Sequence, residues 1–380
     1  MWNDKAAALV ALGALLYGIY ILVGYPLWLA LSGKHWPVRR SAFEPKVDLI
    51  VAVHNGESHL EAKLESILDL DYPREKLRVL VVSDGSTDRT AEIASRYSAQ
   101  GVELLETVRG GKCRALNAGL AVAAAPIVVF TDVRQCLERG SLRLLLENFA
   151  DPLVGAASGA LYIRRGDSQE EVATGLYWNY ERWIREQLSK RDSIFGATGA
   201  YYAMRRELTA PLPEQALLDD MHLPLGAFFR GYRLILDPRA RMFDEPTGIE
   251  DEFWRKVRTL AGNFQILWSY PRLLWPGWLG GNRMWVHFLS YKFGRLLLPW
   301  ALLVGLCASA FLPAAWRWPV LAVEAGVCLL IWVDPWLPAG PWRKLTAALR
   351  SFASLMLATA CAPFWLLAPA ERRWRSTRKR

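Results

Sequence analysis

The sequence predicts an α/β domain with a largely parallel sheet, joined to transmembrane α-helices. Two observations predict this fold class. Between residues 43 and 270, apolar runs of strand length alternate with helical patterns, as in sheets built with right-handed crossover helices. Long apolar stretches lie at both ends of the 380-residue chain, of which 52% is hydrophobic and only 22% charged. So much apolar surface excludes a disordered or collagen-like chain.

Four apolar stretches are candidate membrane segments. Residues 6–33 contain no charged residue and exceed the roughly 20 residues that cross a bilayer, so we expect an uncleaved transmembrane helix within residues 1–34. Two or three further spans are expected in the region 296–370, at 296–316, 318–333 and 351–370; the middle stretch is the weakest because it contains Glu324. Residues 271–295 interleave tryptophans with basic residues, which predicts an amphipathic helix lying along the membrane surface.

Basic residues indicate how the chain is oriented. Several follow the first span directly: Lys34, His35, Arg39 and Arg40. Positive residues stay on the cytoplasmic side, so we expect a cytosolic middle domain and interactions with membrane lipids. The basic tail 371–380 would lie outside with four spans and in the cytosol with three, and the sequence leaves this open. Because the net charge of +9 gathers at membrane flanks and no nucleic-acid-reading motif is recognisable, no nucleic-acid partner is expected.

The soluble domain of residues 43–270 begins with regular strand and helix signals. Residues 47–53 and 77–82 predict parallel strands buried on both faces, and a third strand is expected at 127–130. Helices are expected from Leu60, from Ser86 through residue 96, and over 112–123. Ligands of such sheets bind beyond the carboxyl ends of the strands, where Asp84 and Asp132 lie. The five widely spaced cysteines predict neither a disulfide framework nor a zinc site.

Two turns at this edge carry groups suited to a nucleotide. Asp84, followed by Gly85 and a helix start, can accept hydrogen bonds from a base or ribose, although a helix cap and turn explains the same string and is the simpler interpretation of it alone. Gly110-Gly111-Lys112 forms a turn into a helix and offers a cation for phosphate, but such short strings are common.

The ordered set of motifs resembles the membrane-integrated family-2 glycosyltransferases of the GT-A fold. The strings that carry the resemblance are 54–57 (HNGE), 68–73 (LDLDYP), 82–90, 110–117 and 130–132. Farther on, 196–206 resembles the acceptor-side strand and turn of these enzymes, 218–220 their acidic base motif, and 231–233 is similar too. The resemblance implies a Rossmann-like mixed sheet with flanking helices and covers essentially the whole cytosolic region.

The resemblance also implies an activity and roles for individual residues. It implies inverting transfer of a sugar from a uridine or guanosine diphosphate sugar to a lipid-linked or glycan acceptor, at the cytosolic face of a bacterial cytoplasmic membrane. The implied base is Asp220, with Asp219 as the alternative. Implied donor-binding residues are Asn55, Glu57, Asp84, Lys112, Asp132, Arg134, Arg255 and Arg258. Implied acceptor-binding residues are Thr198, Gly199 and Trp178.

The chain departs from the family pattern at the metal motif. Most relatives carry Asp-x-Asp, whereas here the string is Asp132-Val133-Arg134. We still expect a divalent metal, Mg²⁺ or Mn²⁺, with Asp132 as its ligand, because one carboxylate can bind a metal that phosphate oxygens already hold. Arg134 can instead offset the diphosphate charge through its guanidinium fork, or point to solvent.

A second departure concerns processive synthesis. Processive synthases of the family carry a Gln/Arg-rich motif ending in Arg-Trp, and the corresponding stretch here keeps Arg258 but has Thr259 in place of the Trp. This disfavours a processive polysaccharide synthase, which remains the first alternative. Arg255 and Arg258, one helical turn apart, can clamp a diphosphate or form a solvated basic face. Trp178 can offer an acceptor platform or belong to the core. The second alternative, a non-catalytic nucleotide-sugar receptor, is disfavoured by Asp219-Asp220, because a receptor needs no base.

Overall fold

A computed structural model describes residues 4–33, 35–163, 169–244, 249–338 and 340–367. The chain divides into two compact units. The sheet unit comprises residues 34–164 and 181–246. The helical unit comprises residues 1–33, 165–180 and 247–380.

One eight-stranded mixed sheet forms the sheet unit. Its strands are β1 (Val47–Val53), β2 (Leu77–Asp84), β3 (Val102–Thr107), β4 (Ile127–Asp132), β5 (Cys136–Leu137), β6 (Val154–Ile163), β7 (Tyr201–Arg205) and β8 (Arg233–Asp244). They are ordered β3-β2-β1-β4-β7-β6-β8-β5. The pairs among β3, β2, β1 and β4 are parallel, whereas β7 is antiparallel to both of its neighbours. The predicted mixed sheet with flanking helices, the GT-A arrangement, is confirmed.

Helices cover both faces of this sheet. They are α3 (Leu60–Leu68), α4 (Thr90–Arg96), α5 (Lys112–Val122), α6 (Ser141–Leu146) and α8 (Asp219–Phe229). Alternate residues of β1 face opposite sides, so Leu49 and Val51 join the core that includes Leu64 of α3. On the other face, a Cβ on Gly119 of α5 would lie 2.9 Å from Ile50 Cγ2, so the helix packs closely on the strand.

Two strands extend beyond the bounds expected from the sequence, and a third is long and irregular. β2 and β4 end at Asp84 and Asp132, so these carboxylates are the last residues of their strands. β8 continues to Asp244, past Asp237-Pro238, because its pairing with β6 resumes after a register shift opposite Ser158 and Ala160. Asp237 and Pro238 therefore lie at an irregularity within the strand.

The helical unit contains four helices in the described residues that are long and apolar enough to cross a membrane: Asp4–Leu31, Trp285–Ser309, Ala314–Trp336 and Leu345–Trp365. They comprise α1 (Asp4–Ile19), α2 (Tyr25–Leu31), α10 (Trp285–Phe288), α11 (Gly294–Ser309), α12 (Ala314–Val333) and α13 (Pro341–Trp365). Two further long helices are α7 (Gln169–Arg191) and α9 (Ile249–Ser269). The weakest of the predicted spans is thus a full helix, in which Glu324 accepts a hydrogen bond from Ser309 Oγ at 2.9 Å.

The segment predicted as a surface helix has a different structure. Pro271–Leu274 and Gly277–Leu279 are short 3₁₀ turns, and regular helix begins only at Trp285. From there α10 passes through a π-helical turn, Leu289–Phe293, into α11, so this helix starts well before the predicted residue 296. The prolines and glycines of 271–281 cannot sustain an α-helix, which explains the difference. The basic tail 371–380 lies outside the described residues.

Candidate active site

Three parallel strands bring the predicted donor-binding carboxylates to one edge of the sheet. β1 pairs on one side with β2, where Val53 lies opposite Ser83, and on the other with β4, where Ala52 lies opposite Asp132. Asp84 and Asp132 therefore flank the end of β1 at the carboxyl edge, where ligands of such sheets bind.

Asp84 binds the turn that leads to Lys112. The carboxylate is buried, and its Oδ1 accepts the Gly110 N–H at 2.7 Å. Its Oδ2 accepts the Gly111 N–H at 2.9 Å and a hydrogen bond from Arg109 Nη1 at 2.6 Å. Both oxygens are thus engaged by the protein, and Asp84 fixes the turn that positions Lys112. Its predicted contact with base or ribose stays a prediction.

Asn55 and Glu57 brace the loop after β2. Asn55 has a left-handed backbone (φ 50°), and its Oδ1 accepts the Thr87 N–H at 2.8 Å. Glu57 accepts the Arg89 N–H at 3.2 Å and pairs with Arg89 Nε at 3.4 Å. Both predicted nucleotide ligands are solvent-exposed and line the same carboxyl edge.

Lys112 lies between two carboxylates from different parts of the chain. Its Nζ is 2.9 Å from Asp132 Oδ1 and 3.1 Å from Asp219 Oδ1. Burial by itself lowers the pKa of Lys112, but the charges of Asp132 and Asp219 outweigh it and raise the pKa above its ordinary value. The ammonium is therefore charged throughout the physiological range.

The adjacent residues Asp219 and Asp220 have different surroundings. Asp219 is buried, and burial raises its pKa while Lys112 opposes that shift. Among the residues that the structure describes, its Oδ2 has no hydrogen-bond partner. Asp220 is half-buried, and its Oδ2 accepts the Gly199 N–H at 2.9 Å, while its backbone oxygen accepts the Ala197 N–H at 2.7 Å. Asp219 thus anchors Lys112, and Asp220 lies against the predicted acceptor loop.

Arg134 is held by a carboxylate that sequence reasoning missed. Its Nη2 lies 2.5 Å from Asp244 Oδ2, and Gln135 Nε2 donates to the same oxygen at 2.9 Å. Asp244 is buried at the end of β8. One expectation for Arg134 was that it points to solvent. The ion pair with Asp244 does not agree with that expectation. Asp244 ends a strand, as Asp84 and Asp132 do, and that position was the available signal.

The predicted acceptor loop is fixed by a residue from α7. Arg185 donates from Nη1 to Thr198 Oγ1 at 2.8 Å and from Nη2 to the Gly196 oxygen at 3.0 Å. The Thr198 N–H donates to Ser158 Oγ at 2.9 Å. Thr198 and Gly199 thus lie in one braced turn beside Asp220. Sequence reasoning missed Arg185 because an arginine on a long polar helix carries no distinguishing pattern.

Three predicted site residues lie in the helical unit. Trp178 is on α7, and Arg255 and Arg258 are on α9. All three are half-buried. They are not among the residues that the sheet unit brings together, and their predicted roles stay predictions.

The carboxylates around Lys112 suit a divalent metal in part. Among the described residues, no three His, Cys, Asp or Glu side chains gather as a metal-binding group. The Asp132 side chain is 37% exposed, however, and the nearby Asp219 Oδ2 accepts no hydrogen bond from the described part of the chain. Carboxylate oxygens are the ligands that Mg²⁺ and Mn²⁺ prefer, and such ions take one or two of them when phosphates supply the rest. Asp132 therefore fits a metal that a diphosphate also binds.

Comparison with known proteins agrees with this geometry. Residues 48–211 match Glycosyl transferase family 2. The beta-monoglucosyldiacylglycerol synthase of Synechocystis sp. is 26% identical over 293 residues, which cover 73% of this chain and 59% of that protein. The poly-beta-1,6-N-acetyl-D-glucosamine synthase of Staphylococcus aureus is 24% identical over 231 residues, 58% of this chain and 55% of that protein. The chain thus spans less than two thirds of the length of these relatives.

A solved structure extends the similarity over nearly the whole chain. It is the mannosyltransferase PcManGT from Pyrobaculum calidifontis, in complex with GDP-Man and Mn²⁺. It is 25% identical, has a TM-score of 0.73, and the alignment covers 95% of this chain and 100% of that one. The family match over residues 48–211 and the shared mixed sheet together identify a glycosyl transferase family 2 domain of the GT-A fold within this chain.

Proposed function

We propose that the chain is an inverting glycosyltransferase that moves a sugar from a nucleoside diphosphate sugar to an acceptor hydroxyl at the cytosolic face of a membrane. The observation that carries the proposal is the position of Lys112 between Asp132 and Asp219, with Asp220 next along the chain. A cation for a diphosphate, a carboxylate for a metal and a base for a hydroxyl are the groups that this reaction needs.

The donor contacts follow from the carboxyl edge. Lys112 would turn from the carboxylates to the diphosphate, held in place by the turn that Asp84 fixes. Asp132 would hold a divalent metal, whose charge favours departure of the diphosphate. The GDP-Man and Mn²⁺ of the similar mannosyltransferase support this assignment and make GDP-Man the first donor to test.

Asp220 would act as the base. It accepts the proton of the acceptor hydroxyl while the hydroxyl oxygen forms a bond to the anomeric carbon. The bond between the anomeric carbon and the phosphate oxygen breaks at the same time, and its electron pair leaves with the nucleoside diphosphate. The Gly199 N–H orients the carboxylate for this role. One base and direct displacement invert the anomeric configuration.

A membrane-bound acceptor fits the rest of the chain. Four candidate membrane helices support a lipid-linked acceptor, and one relative is named as a glycolipid synthase. Another is named as a polysaccharide synthase, which supports processive extension of a glycan as the second candidate. Thr259, which stands in place of the Trp of the processive motif, favours a single transfer to lipid.

The test is release of nucleoside diphosphate by the full-length protein in vesicles of bacterial lipid extract. GDP-Man, UDP-glucose and UDP-N-acetylglucosamine are each supplied with Mn²⁺ or with chelator. We expect release from one donor in particular, with radiolabelled sugar passing into the lipid fraction and loss of both signals with chelator. Background release from every donor in the presence of Mn²⁺ would contradict the proposal.

A further inference from the structure

Lys63 is a completely buried lysine on the apolar face of α3. It has no exposed surface and lies in line with Leu60, Leu64 and Ile67. Lysine is almost never fully buried without partners, because its charged form loses hydration. Burial lowers the pKa of Lys63 to about 7. Since leucine would pack here without this penalty, the lysine calls for an explanation in its contacts.

The contacts of Lys63 lie at the two ends of the turn that carries Asp132. Its Nζ donates to Thr131 Oγ1 at 2.6 Å and to the Gln135 backbone oxygen at 2.7 Å. Thr131 Oγ1 in turn donates to the Ala200 oxygen at 2.8 Å. One terminal amino group on a long stem thus joins both ends of the segment Thr131–Gln135, which a shorter or apolar side chain cannot do.

The same turn is held at its far end by Asp244. Arg134 and Gln135 both donate to Asp244 Oδ2. With the two hydrogen bonds from Lys63, the turn is fixed on both sides of Arg134. Asp132, the first residue after Thr131, is thereby fixed in direction as well.

Lys63 and Lys112 approach this turn from opposite faces of the sheet. Successive side chains of a strand point to opposite faces, so Thr131 points toward α3 while Asp132 points toward Lys112. In the part of the chain that the structure describes, no carboxylate forms an ion pair with Lys63, and Asp132 is the strongest attractive charge acting on it. Lys63 therefore donates its hydrogen bonds to the turn and not to Asp132 itself, so its direct contact with this part of the site is the turn.

We propose that Lys63 is a positioning residue for Asp132: by joining both ends of the Thr131–Gln135 turn from the far side of the sheet, it aims this carboxylate at the diphosphate-bound metal. The inference rests on the proposed function, because it takes Asp132 as a donor-site residue. In this chain the metal motif has one carboxylate, Asp132, because Arg134 takes the place of the second and is bound to Asp244. Lys63 on α3 thereby supports the carboxylate that remains.

The test is a double-mutant cycle read by titration calorimetry of the full-length protein in detergent. GDP and UDP, each with Mn²⁺, are titrated into wild type, Lys63→Met, Asp132→Asn and the double variant. We expect Lys63→Met to weaken binding about tenfold, as loss of a residue supporting a metal ligand does. In the Asp132→Asn background it should add less than about twofold. Equal weakening in both backgrounds would overturn the proposal.

A second pair of variants decides the question if Lys63→Met does not fold or Asp132→Asn does not bind. Thr131→Val removes the acceptor of Lys63 at constant shape, and Thr131→Ser keeps it. We expect Thr131→Val to weaken binding as Lys63→Met does and Thr131→Ser to match wild type; equal binding by the two would overturn the proposal. If wild type binds neither nucleotide, the proposed function and this inference both fail. If a folded Lys63→Met variant binds as wild type does, this inference alone fails.

Discussion

Lys112 Nζ and Asp219 Oδ1 lie 3.1 Å apart, so a buried carboxylate is neutralised by the same cation that contacts Asp132. Asp219 and Asp220 are neighbours in sequence, yet the first faces this cation and the second the acceptor loop. The sequence predicts one acidic motif, and in the structure its two carboxylates have separate contacts: Asp219 anchors Lys112, whereas Asp220, the proposed base, lies against the predicted acceptor loop.

Replacing Lys112 by Met should lower both stability and activity. Asp219 would be left buried and unpaired, which costs about 3 kcal/mol, while the diphosphate would lose its cation. The double variant Lys112→Met/Asp219→Asn should regain most of the stability but not the activity. Thermal unfolding and nucleoside diphosphate release measure the two effects; equal stability of the single and double variants would argue against the buried pair.

Gly199→Ala should lower kcat while the protein stays folded. The added Cβ would lie 3.1 Å from Asp220 Oδ2, closer than ordinary contact, and would displace the carboxylate. Displacement of a reacting group by up to 1 Å costs as much as about 100-fold in rate. Gly226→Ala, on the helix α8 that carries Asp220, is the control, because its Cβ would meet nothing within 4 Å, and it should leave kcat unchanged. A kcat for Gly199→Ala equal to that of the control would refute this.

Arg134→Gln should affect stability more than donor binding. Removing the guanidinium takes the Arg134 ion pair away from the buried Asp244, at a cost of about 2 kcal/mol, whereas the donor KM should change little because Arg134 is bound to Asp244. Arg134→Gln/Asp244→Asn should restore the melting temperature. A large rise in donor KM at unchanged stability would instead assign Arg134 to the diphosphate.

Stability should depend on pH through Lys63. Its pKa falls from 10.5 in the unfolded chain to about 7 in the native state. Between these values the unfolded state binds the extra proton, so native stability rises with pH, by up to about 1 kcal/mol per unit. The melting temperature of wild type relative to Lys63→Met should therefore increase from pH 7 to pH 9. A constant difference would show that Lys63 keeps its ordinary pKa.

Local patterns predicted most of the fold at the site. The apolar run 47–53 became β1 without change, and the carboxylates after the next strands lie at the predicted edge. These features depend on periodicity and turn chemistry, which a short window of sequence contains.

Partners distant in sequence could not be predicted. Asp84 binds a turn 26 residues later, and Arg134 pairs with Asp244, 110 residues away. In the sequence, Lys63 only interrupts an apolar helix face. Its contact with Thr131 follows from the position of β4 beside α3, which the sequence does not specify. Such pairings are set by strand order, which periodicity does not specify.

The most direct test of the central claim compares Asp220→Asn with wild type in nucleoside diphosphate release, using the donor that wild type accepts, with Mn²⁺. The substitution keeps the shape and removes the base. We predict a fall in kcat of about 10²- to 10⁴-fold with donor binding retained. Wild-type turnover by Asp220→Asn would contradict the assignment of Asp220 as the base.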